Sequence, residues 1–102
     1  MESYVAETIN HFLSQNDHGA PGSSIRHVGD LGNIVTPASG PTAVSITDSF
    51  VSLVPGDASS VLNRAVVVHA GEDDLGVGGP GTESARTGNA GARLACGIIR
   101  LF

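Results

Sequence analysis

Short apolar, β-branched runs separated by glycine, proline and polar clusters set the pattern of this chain. The clearest is Arg64–His69 (Arg-Ala-Val-Val-Val-His), whose consecutive valines suit a buried strand. Arg93–Leu101 predicts a second strand with Leu94, Cys96 and Ile98 on one face. Upstream, Asn33–Thr36 and Thr42–Thr47 flank Pro37-Ala-Ser-Gly-Pro41 and predict a hairpin. Phe50–Val54 is a weaker strand candidate ahead of the Pro55-Gly-Asp57 turn. Residues 1–12 read differently: Val5, Ile9 and Phe12 recur roughly on one helical face and predict a short helix that no strong cap fixes. Two long stretches have no period, Leu13–Asn33 and Gly71–Gly91, the second with seven glycines. There is no internal repeat. The pattern predicts an all-β, antiparallel fold with two long loops, and loops of that length in a compact domain are functional or disordered.

Composition narrows the picture. A chain of 102 residues makes one domain with a modest core. A net charge of -5, with no basic stripe to neutralise phosphates, excludes a nucleic-acid partner. The longest apolar stretches, around Ala65–Val68 and Leu94–Ile99, are too short to span a membrane. The first ten residues lack a basic segment followed by an apolar one, so no signal peptide is visible and a cytoplasmic location is expected. The single cysteine, Cys96, has no partner within the chain. It reads either as a reduced intracellular thiol or as one half of a pair whose other half is absent.

The candidate chemistry lies in and beside the first loop. His11, His18, His27 and Asp30 supply three imidazoles and one carboxylate within 20 residues, the ligand types and number of a structural zinc site. A loop with few contacts of its own gains cross-links from such an ion. In His27-Val-Gly-Asp30, Gly29 allows the tight turn that lets an imidazole and a carboxylate converge. Spacing alone leaves exposed loop histidines as an equal alternative, because His/Asp clusters are less specific than paired cysteine motifs. Gly76–Gly81 lacks the Lys-Ser/Thr of a phosphate loop, and Glu72-Asp-Asp74 lacks calcium-loop spacing.

Four segments go further: His18-Gly-Ala-Pro21, Arg26-His-Val-Gly-Asp-Leu-Gly-Asn33, Val67-Val-His69 with Asp73-Asp-Leu-Gly76, and Thr87-Gly-Asn-Ala-Gly-Ala-Arg-Leu-Ala-Cys-Gly97. In this order they resemble the copper/zinc superoxide dismutase family, from about His11 to Leu101. The resemblance implies residues 11–102 as a partial family domain preceded by a non-family segment, 1–12. It implies part of a Greek-key β-barrel, or sandwich, lacking the first four strands. By resemblance His11 bridges copper and zinc, His18, His27 and Asp30 complete the zinc site, and His69 is a copper ligand. Asp73 resembles the carboxylate that orients a ligand of each metal, and Arg93 the guanidinium that holds the superoxide anion. Glu83 and Arg86 stand where the family places charges that steer the anion, and Cys96 resembles the C-terminal half of the intrasubunit disulfide.

The resemblance also marks departures. The family takes two further copper ligands from an upstream His-x-His segment, whereas only ten residues precede His11 and none is a histidine. The spacing from His11 to His18 is one residue shorter than the family pattern. Arg100 stands in the last strand where small residues are common at the dimer contact. The expectation is superoxide dismutation by family, with zinc retained, copper held far more weakly than in a complete member, and little or no activity. The alternative is a non-enzymatic zinc-binding β module. The partners implied are the superoxide anion and a second subunit, either another copy or an intact family member joined through an open sheet edge.

Overall fold

The computed structural model describes residues 2–8, as backbone, and 16–101. Four strands form one antiparallel sheet: β1 (Glu2–Thr8), β2 (Asp30–Thr36), β3 (Ala65–His69) and β4 (Arg93–Ile98), in the order β2-β1-β3-β4. One short helix, α1 (Glu83–Thr87), lies between β3 and β4. This is the all-β, antiparallel architecture the sequence predicts, open at both edges rather than closed into a barrel.

The β-branched run of β3 forms a strand because it has a partner on each side. Ala6, Glu7 and Thr8 of β1 lie opposite Val68, Val67 and Val66. On its other side Ala65–Val68 face Ile98–Ala95 of β4. Val67 is fully buried between them. A register shift between Val68 and His69 brings Arg93 opposite His69. A second shift, between Val5 and Glu7 of β1, leaves Glu7 opposite Asp30.

Three sequence expectations are corrected. Residues 2–8 are strand, not helix: pairing with β2 and β3 outweighs the local spacing of Val5 and Ile9. The remainder of the expected helix, residues 9–12, lies outside the described residues. Thr42–Thr47 forms no strand, so the hairpin with Asn33–Thr36 is absent; Val44 and Ile46 are exposed, and no strand among the described residues pairs with them. Phe50–Val54 contributes a single bridge, Ser52 to Ser60. The first loop ends at Asp30, where β2 begins, and the second contains α1.

The distribution of polar groups positions the site. Among the described residues the buried apolar side chains are Val61, Val67, Ala85 and Ala90, whereas His18, Arg26, His27, Asp30, His69, Asp73 and Ser84 are buried and polar. A polar interior of this kind must be satisfied internally or by a bound ion. β4 is exposed along its whole length, Leu94 and Ile98 included.

Candidate metal centre

The turn His27–Asp30 is closed by the Asp30 N–H donating to the His27 carbonyl at 3.2 Å. Gly29 has φ 100°, the positive value a type II turn requires at its third position. Within the turn the Asp30 carboxylate accepts from the His27 N–H at 2.8 Å, and across the loop from the Gly19 N–H at 3.2 Å. Its two oxygens then face two imidazoles. His18 Nδ1 lies 3.1 Å from Oδ2 and His27 Nδ1 3.5 Å from Oδ1.

His18, His27 and Asp30 are all buried, and one ligand atom from each lies within 4.8 Å of the other two. A zinc tetrahedron with bonds of about 2.0–2.1 Å has edges of roughly 3.4 Å, so modest side-chain movements close the set around one ion. His18 Nδ1 has ion-pair proximity to Asp30 but not hydrogen-bond alignment, and it is a buried nitrogen without a hydrogen-bond partner. That orphaned nitrogen, aimed at a carboxylate and beside a second imidazole, is what a divalent cation would satisfy. The fourth expected ligand, His11, lies outside the described residues.

On the other side of the ring, His18 Nε2–H donates to Asp73 Oδ1 at 2.5 Å. In the neutral ring this leaves the lone pair on Nδ1, the arrangement in which a carboxylate orients a metal-binding imidazole. Asp73 is itself held by Asn33 of β2: the Asn33 amide donates to the Asp73 carbonyl at 3.0 Å and accepts from the Asp73 N–H at 2.9 Å. The His18 N–H donates to the Ala85 carbonyl of α1 at 2.6 Å, joining the two long loops.

The electrostatics follow. Burial opposes a charge on His18, but its interactions with Asp30 and Asp73 prevail and raise its pKa from 6.5 to about 10. Hydrogen bonding to Asp30 raises His27 against the effect of burial. Burial alone would raise Asp30, yet the two imidazoles hold its carboxyl well below the usual carboxylate range.

The other expected site residues lie nearby in different settings. His69, at the end of β3, is buried, and its Nδ1–H donates to the Gly91 carbonyl at 3.0 Å. Arg93 is exposed at the start of β4, in register with His69. Glu83 and Arg86 pair with each other on the exposed side of α1, at 3.3 Å. Cys96 is an exposed free thiol on β4, opposite Val67.

Sequence reasoning missed α1, Asn33 and Gly88. The helix signals were present: Thr82 caps the Ala85 N–H, and Gly88 ends the helix in the left-handed region at φ 66°. A side chain at Gly88 would fall on Asp73 Oδ1 and lie 2.6 Å from His18 Nε2. Gly88→Ala is therefore expected to destabilise the zinc-free protein by about 1–2 kcal/mol from the backbone alone, measured by urea unfolding. It should also weaken zinc binding, because Asp73 must move.

An open antiparallel sheet carrying a loop-borne His/Asp cluster, anchored from behind by a second carboxylate, defines a β-class protein with a candidate metal centre. The profile of the copper/zinc superoxide dismutase family matches residues 2–99, and the chain belongs to that family. The chain is 60% identical over 84 residues to the copper–zinc superoxide dismutase of Candida glabrata, covering 82% of this chain and 53% of that protein. It is 56% identical over 85 residues to copper–zinc superoxide dismutase 1 of Debaryomyces hansenii, covering 83% and 53%. It is likewise 56% identical over 90 residues to the Kluyveromyces lactis enzyme, covering 87% and 56%. The chain spans about half the length of the curated relatives it matches. No helix among the described residues is long and apolar enough to cross a membrane.

Proposed function

We propose that this chain is a zinc-binding member of the superoxide dismutase family whose copper side is incomplete within these 102 residues. One observation carries the reading: His18, His27 and Asp30 converge in a buried cluster in which His18 Nδ1 has no hydrogen-bond partner. His11 is the proposed fourth zinc ligand and the bridge to copper, with His69 as the other copper ligand present. When bound, copper supplies one-electron chemistry for disproportionating superoxide, and zinc, which has no redox chemistry, supplies charge and a cross-link.

The chain's own residues divide the remaining work. Asp30 neutralises charge between two imidazoles. Asp73 holds the proton on His18 Nε2 and so keeps Nδ1 turned to the ion. The Gly91 carbonyl accepts from His69 Nδ1–H, which puts the lone pair of the neutral ring on Nε2. Arg93, exposed beside His69, offers a fixed positive charge to a small anion, with Glu83 and Arg86 shaping the field at the approach. A cytoplasmic setting is proposed with this reading.

Metal analysis paired with a superoxide-consumption assay tests it. One zinc per chain, negligible copper and near-background consumption are expected. One copper per chain with rapid turnover would restore the full enzyme, and a chain that retains no zinc would remove the reading altogether. A second reading, a non-enzymatic module that docks on another copy or on an intact family subunit, is favoured by one observation: β4 is an edge strand exposed throughout.

A further inference from the structure

Arg26 is a buried cation that the zinc reading does not use. It is 1% exposed and ranks with Val67 and Asp73 among the largest fully buried side chains described. Burying a guanidinium is costly unless it is paired and hydrogen-bonded, and here it is held from three directions. Nη1 donates to the backbone carbonyl of Asp30 at 2.8 Å. Nη2 lies 2.6 Å from Asp48 Oδ2. The guanidinium carbon sits 3.9 Å from the centroid of the Phe50 ring. The carboxylate and the ring belong to one turn, since Asp48 Oδ1 accepts from the N–H groups of Phe50 and Val51 at 2.8 and 3.0 Å.

What this grip holds is the first residue of β2, at the place where the ladder is least regular. Asp30 pairs with Glu7 just beyond the register shift in β1, so strand pairing alone fixes it loosely. The Asp30 carboxylate, by contrast, must stay between His18 and His27. We propose that Arg26 is a positioning residue for the metal ligand Asp30, and that the 48–51 turn, through Asp48 and Phe50, is the support that holds Arg26 in place. The planar fork reaches carbonyl and carboxylate together while stacking on a ring, which a lysine cannot reproduce. The inference rests on the zinc reading above.

The test uses the full chain with Arg26→Lys, Asp48→Asn and Phe50→Leu. Zinc affinity is read by competition with chromophoric chelators, a weak one serving the weakest variants, and ligand geometry by the visible absorption of the cobalt-substituted protein. Wild type should take up zinc; if it does not, the zinc reading has failed. Given uptake, Arg26→Lys and Asp48→Asn should each lower zinc affinity about tenfold or more, as loss of an outer support does, and alter the cobalt bands. Phe50→Leu should do so less. In an Asp30→Ala background the same changes should add little, because their effect runs through Asp30. An undiminished effect in that background would overturn the proposal, leaving Arg26 a general stabiliser. Unchanged affinity in the folded single variants would overturn it equally. Phe50→Leu keeps every charge in place and decides the matter if the other two do not fold.

Discussion

His18→Ala is expected to remove stoichiometric zinc binding and to cost the zinc-free protein about 3 kcal/mol, the low end for breaking a buried ion pair. The ring sits between two buried carboxylates, 3.1 Å from Asp30 and 2.5 Å from Asp73. Removing it takes away a proposed metal ligand and strands both acids. The cost falls at the low end because backbone amides still reach them: His27 and Gly19 donate to Asp30, and Leu75 donates to Asp73 at 2.7 Å. Equilibrium dialysis against zinc and urea unfolding of the zinc-free chain measure the two effects. A variant that keeps its zinc would show that His18 is not a ligand.

Zinc affinity should climb at least about tenfold per pH unit between pH 6 and 8 and should not level off near neutrality, because metal must displace a proton from His18. An ordinary imidazole, with a pKa near 6.5, is already deprotonated at pH 8. His18, raised to about 10, is not. The raised His27 pKa steepens the rise at the acid end. The zinc-free protein responds in the opposite sense. A group whose pKa is raised on folding stabilises fully below its unfolded value, so the His18 contribution is complete below about pH 6.5 and is lost as pH rises toward 10. Asp30, lowered on folding, contributes above its ordinary value and loses that contribution in acid. Isothermal titration across the range checks the first statement, and urea midpoints of the zinc-free chain check the second. An affinity plateau above pH 7 would show that His18 carries no excess proton.

What could be read from the sequence was what local chemistry dictates. The valines of Arg64–His69 and the alternation in Arg93–Leu101 carry strand preference in themselves, and Ala65–His69 and Arg93–Ile98 became strands, the second ending three residues before Leu101. The short-range turn His27–Asp30 needed only Gly29. The misreadings came from contacts distant in sequence. Residues 1–12 space Val5, Ile9 and Phe12 like a helix, yet the neighbours Asn33–Thr36 and Val66–Val68 take Glu2–Thr8 into the sheet. Thr42–Thr47 has the alternation of a strand but pairs with no strand among the described residues, and alternation without a partner does not make a ladder. The clustered His18, His27 and Asp30 were legible as residue types in a loop. Their supports were not: Arg26 reaches Asp48, and Asn33 reaches Asp73, across 22 and 40 positions that no local pattern connects.

Cys96 on the bare outer strand has a consequence of valence. Building a covalent polymer takes two attachment points per unit, and this chain has one thiol. Oxidation can join two molecules and then has nothing left to link. Any larger assembly therefore needs non-covalent contacts, with or without sulfur.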